Sequence, residues 1–406
     1  MDRAAPRAAV IFTAFAFAYF FSALLRAVTA TLAPVFSAEL GLQAADLGLL
    51  AGAYFFGFAL LQLPLGRALD RFGPRRTLLV LLAVAVIGCA AFALAPNLPA
   101  LIAARVLIGA GVAACLMAPL TAYRRLFSAA AQLRANSWML MTGSLGMLAS
   151  TLPVQWLLPA LGWRGLFWAL AALLVLAMAG VAWWVPRDAP LEASGPQADG
   201  GYAAIARHPM FRRMAPLGFF LYGGMVAVQS LWAGPWLTQV SGWTAAEAAQ
   251  GLFGINLAML LAFMGWGMVM PRLVHHGIDA IWLMTRGLPL PLGLLALNVV
   301  QGADAGAVHW AAWCVACTFV SVSQPAIGAA FPAEQAGRAL SAFNLLIFSG
   351  VFCIQWGIGL MVDALRGAGL SGDHAFRLAF ALFGLCCVAA YGWFLRGARQ
   401  GADNPA

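Results

Sequence analysis

Long apolar stretches alternate with short polar breaks along the whole chain. The stretches are about as long as the roughly 20 residues that a helix needs to cross a hydrocarbon core, and glycine, proline and charged residues mark the breaks. The first six predicted helices cover residues 8–35, 46–65, 77–95, 99–126, 135–158 and 164–186. Six more are predicted over residues 213–239, 244–270, 279–300, 307–330, 337–362 and 374–396. The pattern therefore predicts an all-α membrane protein with twelve transmembrane helices.

The most polar segment of the chain, residues 187–212, separates the two sets of helices. It contains a run rich in glycine and proline near residues 194–201, which is typical of a linker. We therefore expect two pseudo-symmetric bundles of six helices, residues 1–186 and 213–406, joined by this linker. Such a repeat is common in membrane transporters whose two halves enclose a site near the middle of the bilayer.

Composition and charge agree with a membrane protein. Hydrophobic residues make up 63% of the chain and charged residues 9%, whereas soluble domains are roughly half apolar and a quarter charged. The positive charges are all arginines, and the net charge is +9. A basic chain can bind nucleic acid, but arginines in short loops between apolar runs instead fix the orientation of the chain in a membrane. We expect the lipid bilayer as a partner and no nucleic acid.

The arginines are distributed unequally between the two sides of the predicted membrane. With a cytoplasmic N-terminus, seventeen of them lie on the inner side: Arg3, Arg7, Arg67, Arg71, Arg75, Arg76, Arg124, Arg125, Arg134, Arg187, Arg207, Arg212, Arg213, Arg272, Arg338, Arg396 and Arg399. The outer side has three: Arg164, Arg366 and Arg377. Positive residues favour the cytoplasmic side, so we expect an inner-membrane protein with both termini and the linker in the cytoplasm.

The loop between the second and third predicted helices carries a motif. It reads Gly66-Arg-Ala-Leu-Asp70-Arg71-Phe-Gly73-Pro74-Arg75-Arg76. This loop resembles the signature G-x-L-a-D-r-x-G-r-[rk] of the major facilitator superfamily, with Ala68 in place of leucine and Pro74 in place of a basic residue. In that superfamily the loop latches the two halves together on the cytoplasmic side. The resemblance implies a gating role for Gly66, Asp70, Arg71, Gly73, Arg75 and Arg76.

Other segments support and refine the resemblance. The run from Arg105 to Gly111 is similar to the R-x-x-x-G-x-G pattern of facilitator proteins. The fifth helix, by contrast, lacks the G-x-x-x-G-P-x-x-G-G motif of drug-exporting antiporters and reads Gly143-Ser-Leu-Gly146-Met-Leu-Ala-Ser-Thr-Leu-Pro153. The resemblance implies a bacterial secondary transporter that works by alternating access as a monomer.

Two arginines fall deep inside predicted helices. A charged group at membrane depth is costly, so it is expected to face a cavity or a partner. Arg26 shares one face of the first helix with Tyr19, Ser22 and Thr29, because spacings of three, four and seven residues fall on one side of a helix. Arg105 enters the fourth helix from the outer side. We therefore predict that Tyr19, Ser22, Arg26 and Arg105 bind substrate. The structural alternative for Arg26 is an ordering contact with backbone carbonyls, and for Arg105 the resemblance implies a role in conformational coupling as the alternative.

Acidic residues are absent from the middle of every predicted helix. The nearest are Asp46, Asp279 and Asp363, at helix ends. A lipophilic cation would find no buried counter-charge, and a proton relay would lack its usual carboxylate. The sequence thus favours a small anionic substrate, such as an organic carboxylate. Arg286 is nearer a helix end and can extend its head group to the membrane surface.

Neutral polar and aromatic residues provide further candidates for a small-molecule pocket. The predicted substrate contacts among them are Tyr54, Gln229, Asn256, Gln324 and Asn344. The amides could instead join helices to each other, and Trp236 and Trp310 could belong to an interfacial belt.

Catalytic and cofactor motifs are lacking from the sequence. There is no Walker loop, no cluster of histidine and acidic residues for a metal, and no serine with a base at suitable depth. We expect no enzyme activity, cofactor or metal. Two alternatives to an anion permease stay open: an efflux pump for hydrophobic drugs or metabolites, and a transporter-like sensor that binds a ligand without moving it.

Overall fold

The computed structural model describes residues 4–187 and 202–402. Within these ranges the side chains of some residues, Asp70 among them, lie outside the described part, as does most of the predicted linker. No strand occurs in the two described ranges, where helices joined by short turns account for nearly all residues.

The first half of the described chain contains eight helices. They are α1 (Ala4–Leu40), α2 (Ala44–Leu60), α3 (Gln62–Phe72), α4 (Pro74–Leu94), α5 (Leu98–Val112), α6 (Ala114–Leu126), α7 (Ala129–Ala149) and α8 (Leu152–Trp184). Proline explains where α2 ends. Pro64 lacks an N–H and its ring clashes with the carbonyl four residues earlier, and α2 and α3 meet there at an angle of 41°. The predicted second helix is therefore bent near its C-terminal end.

The predicted fifth helix, residues 135–158, is wrong as a continuous element. Helix α7 starts earlier, and the chain breaks at Ser150 and Thr151, just before Pro153. Both hydroxyls bond back to carbonyls of the preceding turn, and Thr31 of α1 donates to the freed Ser150 carbonyl at 2.8 Å. A second break at Gly162, with a φ of 61°, divides α8 where the fifth and sixth predicted helices meet.

The second half contains α9 (Tyr202–Arg207), α10 (Pro209–Pro216), α11 (Gly223–Ala227), α12 (Ala233–Gln239), α13 (Ala245–His275), α14 (Ala280–Gly287), α15 (Pro289–Gln301), α16 (Ala307–Cys317), α17 (Ser323–Ala329), α18 (Ala333–Gly367) and α19 (Gly372–Ala402). Two π-helical segments, Leu217–Tyr222 and Val228–Trp232, connect α10, α11 and α12 into one span. A 3₁₀ segment, Thr318–Val322, joins α16 to α17. Pro325 follows that segment and cannot donate to the preceding turn.

Ten helical stretches of the described residues are long and apolar enough to cross a membrane, and the bent pair α2–α3 makes an eleventh. Helix α7 occupies the position of the remaining predicted span. The helices therefore follow the twelve predicted spans, with differences at the breaks.

Contacts divide the chain into two compact units. The first consists of Met1–Leu32 and Ala53–Gln197, and the second of Ala33–Gly52 and Ala198–Ala406. Residues 33–52 lie within the predicted first bundle, yet the contacts assign them to the second unit.

Aromatic side chains form much of the packing inside each unit. In the first, Phe92 of α4 stacks on Phe167 of α8, with ring centroids 4.0 Å apart. In the second, Trp236, Trp310 and Phe380 are fully buried, with centroid distances of 5.1 to 5.2 Å. The two tryptophans are thus core residues rather than members of an interfacial belt.

Candidate functional site

Arg105 is fully buried in the first unit and joins helix α5 to helix α1. Its Nη1 donates to the Leu25 carbonyl at 2.9 Å, and its Nη2 donates to the Thr29 hydroxyl at 2.6 Å. The guanidinium lies 5.3 Å from the ring centroid of Tyr54 on α2. Such partners offset the cost of a charge removed from water. Arg105 therefore contacts protein groups on neighbouring helices and leaves no surface for a solute.

The two glycines that follow Arg105 allow close helix packing. A Cβ on Gly109 would collide with the Tyr54 carbonyl, and a Cβ on Gly111 would collide with the backbone of Ala85 on α4. The reverse contact exists as well, because a Cβ on Gly57 would collide with the Val106 carbonyl. The R-x-x-x-G-x-G pattern thus brings α5 against α2 and α4, while Arg105 itself reaches α1.

Arg26 has different surroundings from Arg105. Among the five predicted substrate contacts of the first unit, Arg26 alone is only half-buried, whereas Tyr19, Ser22, Tyr54 and Arg105 are buried. Its guanidinium lies 5.9 Å from the ring centroid of Phe58 on α2, and it interacts electrostatically with Tyr19 and Tyr54. A solute can therefore approach Arg26 in a way that it cannot approach Arg105.

The two tyrosines near Arg26 are held by neighbouring helices. The Tyr54 hydroxyl donates to the Ser22 carbonyl at 3.1 Å, so the phenol of α2 is fixed against α1. Tyr19 packs on Gly143 of α7, where a Cβ would come within 2.9 Å of the tyrosine hydroxyl. Gly143 is a part of this site that the sequence did not reveal.

The four predicted amides of the second unit form two hydrogen-bonded pairs. Gln229 donates to the Asn256 side-chain oxygen at 3.0 Å, and both residues are buried. Gln324 donates to the Asn344 side-chain oxygen at 2.6 Å, and both are half-buried. Asn256 also donates to the Leu252 carbonyl at 2.9 Å. The first pair is thus satisfied within the protein, while the second retains accessible surface.

Both glutamines lie where the helix is irregular. Gln229 belongs to the π-helical segment Val228–Trp232, and Gln324 follows closely on the 3₁₀ segment Thr318–Val322. π-bulges occur frequently at functional sites, and a 3₁₀ stretch within a helix often marks a hinge.

Gln355 of α18 is a further buried amide, which is not among the predicted substrate contacts. It is fully buried and donates to the Ser230 hydroxyl at 3.0 Å. Its backbone carbonyl accepts from the Trp232 indole at 3.1 Å. The residue therefore binds α18 to the π-helical segment that contains Gln229. Its signal in the sequence is a lone amide between Ile354 and Trp356.

The predicted latch loop is helical except at Gly73: residues 66–72 form the end of α3, and residues 74–76 begin α4. Gly73 has a φ of 80°, a conformation that favours glycine, and it ends α3 directly before Pro74 starts α4. Arg71 and Arg76 flank the exposed Phe72, with guanidinium carbons 5.2 and 5.8 Å from its ring centroid. Arg75 donates to the Ala182 carbonyl of α8 at 2.6 Å. The loop is thus attached to its own unit through Arg75.

Two grooves on exposed apolar faces contain little of the predicted site. One, of about 330 Å³, lies between α3 and α4 and includes Arg76. The other, of about 530 Å³, lies among α13, α15 and α16 and includes Trp266 and Phe319. Their apolar walls suit lipid chains rather than a polar solute.

A family model supplies the decisive comparison. The model of the Major Facilitator Superfamily matches residues 15–354. The chain belongs to this superfamily. The facilitator is therefore a secondary transporter with the twelve-helix membrane fold of its family, as the motif in the loop from Gly66 to Arg76 implied.

Solved structures of other facilitators are similar over nearly the whole chain. A bacterial homologue of the human lysosomal transporter Spinster, inward-facing and unoccupied, has a TM-score of 0.77 at 17% identity and covers 100% of each chain. A D-xylose-proton symporter has a TM-score of 0.77 at 16% identity, over 95% of this facilitator and 96% of the symporter. A mutant of the nucleoside transporter NupG has a TM-score of 0.74 at 12% identity, over 95% of this facilitator and 99% of that transporter. These likenesses show the fold alone.

No curated protein matches this facilitator.

Proposed function

We propose that this facilitator moves small organic anions across the cell inner membrane by alternating access, with Arg26 binding the anionic group. The observation that carries the proposal is the contrast between the two membrane-depth arginines. Arg105 is fully buried against a carbonyl and a hydroxyl, whereas Arg26 keeps accessible surface beside Tyr19 and Tyr54. An arginine that keeps accessible surface at that depth is suited to a carboxylate, which a guanidinium can bind through two parallel hydrogen bonds.

Arg105 acts in this account as a positioning residue. It holds the Leu25 carbonyl, which belongs to the peptide unit that leads into Arg26. It also lies over Tyr54, whose hydroxyl is bonded to the Ser22 carbonyl. The orientation of Arg26 thus depends on contacts that Arg105 makes with the same turn of α1.

The second half supplies neutral contacts in the proposed mechanism. The half-buried Gln324–Asn344 pair retains surface for the uncharged part of a substrate, while the buried Gln229–Asn256 pair joins helices. The loop from Gly66 to Arg76 serves as the cytoplasmic latch. The transporter works as a monomer, with bundles at residues 1–186 and 213–406 and both termini in the cytoplasm, as the distribution of its arginines supports.

A thermal-shift screen of the purified protein tests the proposal. Mono- and dicarboxylates, phosphorylated anions and lipophilic cations are compared on the wild type, on Arg26→Ala, and on Arg286→Ala as an exposed control. A ligand present at about 100 times its dissociation constant adds about 2.7 kcal/mol to the free energy of unfolding. We expect one class of anion to raise the melting temperature of the wild type and of the control, but not of Arg26→Ala.

Other outcomes of the screen would favour the alternatives. Stabilisation by cations or uncharged drugs alone would contradict the anion site and favour an efflux pump. Stabilisation by an anion without its accumulation in proteoliposomes would favour a membrane sensor.

A further inference from the structure

Helix α2 begins with a cap that comes from a distant part of the chain. The Asp363 carboxylate, near the end of α18, accepts from the backbone N–H of Ala44 at 3.2 Å and of Ala45 at 2.7 Å. In the sequence, Asp363 lies 319 positions from Ala44 and 318 from Ala45. The local candidate for a cap is Gln43, whose amide donates to the Gly41 carbonyl instead. A helix N-terminus favours negative charge and needs acceptors for its first N–H groups. Asp46 of the first turn supplies a local charge and accepts from the Gln43 N–H at 3.0 Å, and Asp363 supplies the acceptors for the N–H groups of Ala44 and Ala45.

A seam of glycines extends from this cap along α2 and α18. A Cβ on Gly359 would collide with the Ala44 carbonyl, and a Cβ on Gly48 would collide with the Gln355 carbonyl. One turn further along α2, a Cβ on Gly52 would come within 2.9 Å of the Phe352 ring. Small residues at such spacing let two membrane helices approach backbone to backbone. The cap is therefore one end of a continuous close contact.

The seam also reaches the irregular part of the seventh span. The Gln355 carbonyl that Gly48 faces is the one that accepts from the Trp232 indole, and the Gln355 amide binds the Ser230 hydroxyl. Ser230 follows Gln229, whose side chain is bonded to Asn256. The seam is therefore in contact with the π-helical segment that contains the predicted site residue Gln229.

We propose that Asp363 and the glycine seam form an outer latch, which closes the outer ends of α2 and α18 and must release when the transporter opens outward. The proposal rests on the alternating access put forward above and on the outer position that the arginine distribution gives to residues 41–43 and to the end of α18. It assigns Asp363 a positioning role, since the carboxylate contacts backbone N–H groups and no substrate. Loss of the cap is expected to shift the ligand-free protein toward the state with an open outer side.

Hydrogen–deuterium exchange of the ligand-free protein in nanodiscs tests the latch. In Asp363→Ala we expect about fivefold faster exchange, because an N-cap is typically worth about that factor. The increase should occur together in peptides covering residues 44–52 and 352–363, since release exposes both sides of the seam. Asp304→Ala, which removes an exposed carboxylate near the outer end of another span, should exchange like the wild type.

A glycine pair provides a second test that does not depend on charge. Gly359→Ala should accelerate exchange of the same two segments, because the added methyl cannot fit against Ala44. Gly357→Ala, on the same helix with no atom within 4 Å of the added group, should not. Unchanged exchange in Asp363→Ala and Gly359→Ala would overturn the latch, and so would an increase confined to the first turn of α2, because that indicates local fraying only. The exchange measurements use no substrate, so their outcome does not depend on whether the thermal-shift screen finds an anion.

Discussion

Arg26 and Arg105 illustrate how two charges at similar positions in apolar helices acquire different roles. Arg105 lies where α5 meets α1 and α2, and there the Leu25 carbonyl and the Thr29 hydroxyl accept its hydrogen bonds. Arg26 follows Leu25 directly in the chain, yet it keeps part of its surface accessible. Burial and hydrogen bonding, rather than residue type, are therefore the basis on which we propose Arg105 as a positioning residue and Arg26 as a binding residue.

Replacing Arg105 with leucine tests its positioning role. The change leaves the Leu25 carbonyl and the Thr29 hydroxyl without this donor in a buried place, so we expect a loss of about 2 kcal/mol in the free energy of unfolding. Arg286→Leu, which alters an exposed arginine, should have little effect. Thermal unfolding in detergent measures both. Equal stability of Arg105→Leu and wild type would contradict the account of its contacts.

Individual polar residues are easier to find from the sequence than their partners. Four amides stand out in apolar helices: Gln229, Asn256, Gln324 and Asn344. Which of them pair depends on which helices are neighbours, and the pattern of residues along a single helix does not show its neighbours. Gln355 gives a signal of the same kind, an amide with apolar neighbours in α18, and is not among the predicted substrate contacts.

At the scale of elements, apolar length predicted where the helices lie, and the breaks follow from identifiable residues. Pro64, Pro153 and Pro289 each stand just after an interruption of a predicted helix. The π-helical segment Val228–Trp232 of the seventh span has a similar signal, since Pro235 stands three residues after it. The segment Leu217–Tyr222 is not followed closely by a proline, although Pro216 directly precedes it.

The crossing of α2 and α5 permits an element-scale prediction. Gly109→Ala should destabilise the protein by about 1 to 3 kcal/mol, because overpacking forces the two backbones apart. Gly254→Ala, with nothing within 4 Å of its added methyl, should be neutral or slightly stabilising, since alanine is the better helix former. Thermal unfolding of the two variants side by side measures the difference. A neutral Gly109→Ala would mean that the helices do not pack as closely as described.

At the scale of the whole molecule, twelve spans, a basic inner side and the signature loop sufficed to predict the family, and the family model confirms it. Long-range contacts were beyond such reasoning. The cap of α2 by Asp363 joins groups more than three hundred residues apart, and no local pattern around Asp363 distinguishes it from an ordinary acidic residue at a helix end. The substrate class likewise depends on one side chain and its accessibility, so it stays a proposal that transport must test.

Uptake into proteoliposomes tests the central claim most directly. The anion that stabilises the protein in the screen is supplied outside vesicles containing wild type, Arg26→Gln or the exposed control Arg286→Gln, and its accumulation is followed with a radiolabel. We predict saturable uptake by the wild type and the control. In Arg26→Gln we predict a reduction of about tenfold or more, because a hydrogen bond to a charged group contributes about 1.5 to 3 kcal/mol. Uptake by Arg26→Gln at the wild-type rate would contradict the assignment of Arg26 as the anion-binding residue.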